Sequence, residues 1–192
     1  MTALTVGGAS ATAAAAPPAD DSLFRVSGGG RLVVDGGLVL GLPVALGTGL
    51  STGVGAGVSL GERFAWGARV AWSTATESSL TWTVTQADLR LRATAALQQR
   101  AGRGQFALRL GLGPTIVHES RLRNQGARAG LTGSELQTST TVTLPAADLE
   151  AVVALRVAGP WRLFLGGGPG LTIIDGAGRW GWTAQLGAGW QP

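Results

Sequence analysis

The residue types richest in chemistry cluster around the only histidine, His118. Ser120 stands two positions on, and Glu135 follows in the same polar stretch. A serine becomes a nucleophile when an imidazole takes its proton, and a carboxylate can orient that imidazole. His118, Ser120 and Glu135 are therefore the set with the residue types for acyl transfer. The plainer reading of His118 is a polar residue at a strand end. A second group carries opposite charges at alternating positions: Asp88, Arg90 and Arg92, then Asp148, Glu150 and Arg156. Carboxylates so placed could act as paired acid and base. Each has arginine for company, however, and they read as structural salt bridges. The run Gly166 to Gly170 lacks the lysine and the following helix of a phosphate loop. There is no cysteine, so disulfides, thiolate metal sites and cysteine nucleophiles are excluded. No metal-ligand spacing occurs, and no cofactor is expected.

The elements that would position these residues repeat with a period of two, the signature of strands. In the last segment, Trp180, Trp182, Ala184, Leu186, Ala188 and Trp190 share one face. Arg179, Gly181, Thr183, Gln185, Gly187 and Gly189 share the other. The same division of apolar from small or polar recurs over 46–60, 64–73, 87–98, 105–119, 147–157 and 161–173. A less regular first strand runs from Phe24 to Val34, bringing the total to eight. Connections near residues 61–62, 101–104 and 158–160 are short. Those over 35–45, 74–86 and 120–145 are longer or more polar, and 175–178 is a glycine hairpin. The apolar face changes between Trp82/Val84 and Leu89, which calls for a bulge or loop there. The apolar stretch 38–46 would extend the strands, cover a barrel mouth or form a contact surface.

At 192 residues the chain fits one domain. Every basic residue is arginine, and the net charge is +4. Those arginines are scattered singly along strands, against the clustered footprint of a nucleic-acid binder. Residues 36–61 carry no charge and are long enough for a membrane helix. They are nevertheless rich in glycine and include Pro43, which cost a helix about 1 and about 3 kcal/mol per residue. Residues 1–20 read as an export-signal remnant or disordered leader, with an A-x-A-like site at Ala11-Thr12-Ala13. Residues 21–192 read as the folded domain.

Which face points inward separates a soluble barrel from a membrane barrel. Phe64, Trp66, Phe106, Trp161 and Trp190 fall towards the short-turn ends of the apolar faces. Trp72, Trp180 and Trp182 fall towards the long-loop ends. Indole rings at both edges of an apolar band mark membrane interfaces. The opposite faces mix glycine with Arg69, Asp88, Arg90, Arg92, Arg109, Glu119, Asp148, Glu150 and Arg156, all expected inside. Eight strands leave an interior just wide enough for side chains to fill. The fold class expected is therefore an all-β, antiparallel, up-and-down transmembrane barrel with the apolar face outward.

On these features the chain resembles the small eight-stranded bacterial outer-membrane barrels, the OmpA-like and OmpX-like group, over about residues 22–190. Its final Gly187-Ala188-Gly189-Trp190 resembles the aromatic-ended last strand read by the barrel assembly machinery, although Gln191 and Pro192 follow. The resemblance implies outer-membrane localisation, contact with outer-membrane lipids and lipopolysaccharide, and a structural or surface-interaction role without an open pore. The loop 120–145, with Arg121, Arg123 and Arg128, is the surface expected to meet a partner or an anion. Two alternatives stand beside this. His118-Glu119-Ser120 at a barrel rim resembles the lipid A deacylases, which implies an outer-membrane esterase. A lipocalin-like soluble binder would carry the same alternation with its apolar face inward.

Overall fold

The computed structural model describes residues 25–26, 30–42, 49–127 and 135–192. The leader read at 1–20, the segment 43–46 of the apolar stretch and Arg128 lie outside those residues. Eight antiparallel strands form the body of the molecule: β1 (Gly30–Gly41), β2 (Ser51–Gly61), β3 (Phe64–Ser78), β4 (Trp82–Ala101), β5 (Gly104–Arg123), β6 (Gln137–Ala158), β7 (Trp161–Ile174) and β8 (Ala177–Trp190). Each pairs with the next in sequence. The sheet closes where β1 meets β8, from Val34 opposite Trp190 to Gly41 opposite Thr183. Closure matters because every backbone donor and acceptor inside a bilayer needs a partner within the protein. Arg25–Val26 adds a two-residue pairing back onto Gly30 and Arg31.

The alternation has the outcome the aromatic placement predicts. Leu38, Val54, Val70, Leu110, Val153, Leu165 and Leu186 are all exposed, while Asp88, Gln86 and Thr115 are about 1% exposed. The lipocalin-like alternative is thereby overturned, since a soluble barrel would bury the first set and wet the second. Among the described residues, no helix is long and apolar enough to cross a membrane. On β3, Phe64 and Trp72 lie eight residues apart on the outer face. That is about 27 Å along the strand, or roughly 20 Å of height at a tilt near 40°. Lipid-facing bands of such barrels stand about 25 Å tall.

Three expectations need correction. The first strand runs to Gly41 and takes in Asp35, so the connection expected from residue 35 begins only after Gly41. Asp35-Gly36-Gly37 looks like a turn, but its small residues serve a crowded lumen. The long connections expected over 74–86 and 120–145 are also shortened by strand: β3 and β4 are joined by residues 79–81, and β5 and β6 by residues 124–136. Above the membrane both faces are wet, so polarity on both sides is compatible with a hydrogen-bonded ladder. Finally, no bulge accompanies Trp82 and Val84. The β3–β4 register is unbroken from Phe64 opposite Leu97 to Ser78 opposite Thr83. Trp82 and Val84 keep the inward parity of Gln86 and Asp88, and Trp82 stacks under the Arg123 guanidinium at 4.4 Å. A register shift occurs instead at the short-turn end, between Arg156 and Ala158.

Candidate functional site

The lumen is filled in layers, each built by inward residues of several strands. Its most connected layer is a closed circuit. Arg69 (β3) lies 3.0 Å from Asp35 (β1), although off the line of a hydrogen bond. Arg109 (β5) lies 3.8 Å from the other oxygen of Asp35 and 3.2 Å from Glu150 (β6). The Gln185 amide (β8) donates to Glu150 at 2.9 Å, and its carbonyl accepts from Arg69 at 2.5 Å. Five strands thus contribute to one ring with two cations, two anions and a neutral amide. Gly57 makes room for it: a Cβ there would stand 2.8 Å from Cγ of Arg69 and 3.2 Å from Asp35.

Towards the long-loop side, Arg92 pairs with Asp148. It also donates to the Pro114 carbonyl at 2.6 Å and to the Thr115 hydroxyl at 2.8 Å. Gly170 gives Asp148 its place, since a Cβ there would lie 2.7 Å from a carboxylate oxygen. Above this, the Gln86 amide donates to Asp88 at 2.6 Å, and Asp88 faces Arg90 at 3.8 Å. Below the circuit, Ala107, Val152, Ala154 and Phe164 form a buried apolar layer. The voids between layers are small. One of about 230 Å³ lies beside Arg90, Arg92 and Asp148, and two of about 40 Å³ lie lower.

The charges expected inside are brought together as pairs, with two differences in height. Glu119 is inward but sits at the outer mouth, bonded to the exposed Arg121. Arg156 has inward parity but is exposed at the short-turn mouth, where it donates to the Gly159 carbonyl at 2.6 Å. It is not an interior charge, because the register shift beside it ends the barrel wall there. Sequence reasoning missed Asp35, and it placed Gln185 on the polar face of the last strand without naming it as a partner of the interior charges. Asp35 shares the parity of the buried Val33 and Val39, and that parity was the signal available. The eight aromatics lie on outward positions: Phe64, Trp66, Phe106, Trp161 and Trp190 at one end, and Trp72, Trp180 and Trp182 at the other. Of these, Trp190 is half-buried and the rest are exposed.

The acyl-transfer set is not assembled by any hydrogen bond among its members. His118 and Ser120 share the outer face of β5, and the imidazole Nδ1 is bonded to the Thr141 hydroxyl at 2.8 Å. Glu135 is exposed in the connection between β5 and β6. Among the described residues, no group of three or more histidine, cysteine or acidic side chains is placed to hold a metal.

No family profile and no curated protein match the sequence. Solved structures do match the fold. The outer membrane protein OprG of Pseudomonas aeruginosa aligns with a TM-score of 0.51 and 11% identity, over 85% of this chain and 96% of its own. Ail, the attachment invasion locus protein of Yersinia pestis, aligns at 0.49 and 12%, over 85% and 97%. Neisserial surface protein A aligns at 0.48 and 12%, over 84% and 95%. Closed eight-strand order, outward apolar belt and paired interior charge together define the class: this is a small outer-membrane β-barrel. Within that class its fold is the one shared with OprG.

Proposed function

We propose that the protein is a non-conducting outer-membrane barrel whose role is surface interaction, carried by the sheet that stands above the barrel. The supporting observation is an open strand edge. β6 pairs with β5 along its whole upper half, up to Gln137 opposite Leu122. Its pairing with β7 begins only at Ala146. Among the described residues, nothing pairs with the other edge of residues 137–145. That segment reads Gln-Thr-Ser-Thr-Thr-Val-Thr-Leu-Pro, uncharged and rich in β-branched residues. An uncharged edge with free backbone groups is a template for an added strand, in which main-chain bonds give affinity and alternate side chains give selectivity. The charged circuit favours the closed-pore part of the reading, because side chains from five strands meet across the lumen there.

Lipopolysaccharide and outer-membrane lipids would surround the belt, with Arg121 available to phosphate groups at the outer mouth. The barrel assembly machinery would act during biogenesis, residues 21–192 forming the barrel behind a leader at 1–20. The role proposed is not enzymatic, and the Thr141 contact gives His118 a structural use. The test pairs two measurements on one preparation. Planar-bilayer recordings should show no large stable conductance. A photo-crosslinker at Thr140, in intact cells, should capture a proteinaceous partner that Thr140→Pro abolishes. A stable open pore, or capture that is unchanged by the proline, would overturn the proposal.

A further inference from the structure

The short-turn mouth carries a second constellation, independent of the upper sheet. Arg31 on β1, Arg100 on β4, Arg156 on β6 and Arg162 on β7 all have inward parity at the end of their strands. With Arg103 of the β4–β5 turn they line one cavity of about 60 Å³. The opposing charge is sparse. Glu62 lies 3.5 Å from Arg31 and also attracts Arg100, and Asp35 attracts Arg162 from deeper in the lumen, while no described residue forms an ion pair with Arg100, Arg103, Arg156 or Arg162. Partial burial, and then the nearby Arg31 and Arg156, hold the Arg100 guanidinium below its ordinary pKa against the pull of Glu62. Arg100 lies beyond the level of Phe106, outside the apolar belt. The mouth therefore gathers positive charge that the chain itself leaves largely uncompensated, a costly arrangement unless an anion completes it.

A second observation points the same way. Gln191 lines this cavity and is 5% exposed, and its side-chain nitrogen is buried with no hydrogen-bond partner. A buried N–H donor without an acceptor is rare, and in a native protein it signals a missing ligand, ion or water. Gln105 does not fill that role, since its amide donates to Gln98 and its carbonyl accepts from Arg162. Arginines that line one cavity from four strands, together with a buried amide donor, suit an acceptor-only group with oxygens in several directions. A phosphate has that shape, and arginine binds it through pairs of N–H groups.

We infer that the short-turn mouth of the barrel binds a phosphate group, held by Arg100, Arg156, Arg162 and the Gln191 amide. The arginines face the barrel axis rather than the lipid, so the group enters along that axis from the periplasmic side. Its source is either a soluble phosphate compound or the headgroup of an anionic phospholipid bent into the mouth.

The test is calorimetric titration of inorganic pyrophosphate into the refolded full chain in non-ionic detergent. Heat-modifiable gel migration confirms that each variant is folded. Saturable binding that weakens with added salt is expected. Arg100→Gln with Arg162→Gln should weaken it by about tenfold or more, as expected for lost charge-assisted hydrogen bonds. Gln191→Leu should weaken it by about threefold, the size of one neutral hydrogen bond. Arg179→Gln, at the opposite mouth, should leave it unchanged. Repeating the titration in nanodiscs identifies the source. Binding lost in phosphatidylglycerol discs but kept in phosphatidylcholine discs assigns the site to a lipid headgroup, and binding kept in both assigns it to a soluble phosphate. No saturable binding to the folded chain, or equal binding by the double arginine variant, would overturn the inference.

Discussion

Asparagine at position 35 would keep the shape of the side chain and remove one charge from a closed circuit. Asp35 faces two arginines, Arg69 at 3.0 Å and Arg109 at 3.8 Å, and all three side chains are about nine-tenths buried. With Asp35 ionised, the two arginines balance Asp35 and Glu150. With asparagine, two buried cations share one carboxylate. The gross attraction lost at 3.0 Å is about 5 kcal/mol at an effective dielectric near 20. Part of it returns because the carboxylate no longer has to be desolvated. Breaking a buried pair by removing one partner costs roughly 3–5 kcal/mol. The lower end applies here, since Arg109 keeps Glu150 at 3.2 Å and Arg69 keeps Gln185. The expectation for Asp35→Asn is thus a loss of about 3 kcal/mol. It would be read from equilibrium urea unfolding of the refolded barrel as a lower midpoint at unchanged slope. Adding Arg69→Gln restores the balance of one cation to one anion. The double variant should therefore lose clearly less than the sum of the single losses, with a coupling of at least about 1 kcal/mol. A loss for Asp35→Asn within about 0.5 kcal/mol, the range of an ordinary surface change, would refute this reasoning. So would strict additivity.

Two other perturbations probe the wall. Leu186 lies midway between Trp182 and Trp190 on the outer face of β8 and is 57% exposed. Leu186→Arg should cost about 2–4 kcal/mol in a lipid vesicle, whereas Thr140→Arg above the belt should change unfolding by under about 0.5 kcal/mol. Equal effects at the two sites would place the membrane elsewhere. Gly170→Ala puts a methyl group 2.7 Å from an oxygen of Asp148 and pushes that carboxylate off Arg92. It should cost about 1–3 kcal/mol by overpacking, and a neutral result in the same unfolding assay would show that the pair can move aside.

The wall of this protein was legible in its sequence, because lipid and lumen impose opposite chemistry on neighbouring residues. That contrast is strongest where Trp180 to Trp190 alternate with Thr183, Gln185 and three glycines. The signal ends where the contrast ends. Residues 137–145 meet water on both faces, so their ladder leaves no period in hydropathy, and they read as loop. Asp35 was hidden for a different reason: a carboxylate followed by two glycines has the composition of a turn. The partners across the lumen were not legible either. Arg69 meets Asp35 over Gly57, which stands opposite both on the intervening strand, and it meets Gln185 across the lumen, a contact between distant strands that the closed barrel creates rather than any local segment. His118 shows the reverse limit: its spacing to Ser120 is plain in the sequence, while its bond to Thr141 comes from the neighbouring strand.

The five-membered circuit also bears on how such a barrel is assembled. Asp35 belongs to the first wall strand and Gln185 to the last, so the loop of bonds stays incomplete until the two ends of the sheet meet. Before that moment Arg69, Arg109 and Glu150 have some of their partners but not all. A strand that joined one residue out of step would turn its charged set outward, exposing arginine or carboxylate to hydrocarbon at a cost of several kcal/mol. The polar interior is thus a register lock. It penalises any closure that is one residue out of step, and the last bonds of the circuit form only when the first strand and the last are joined.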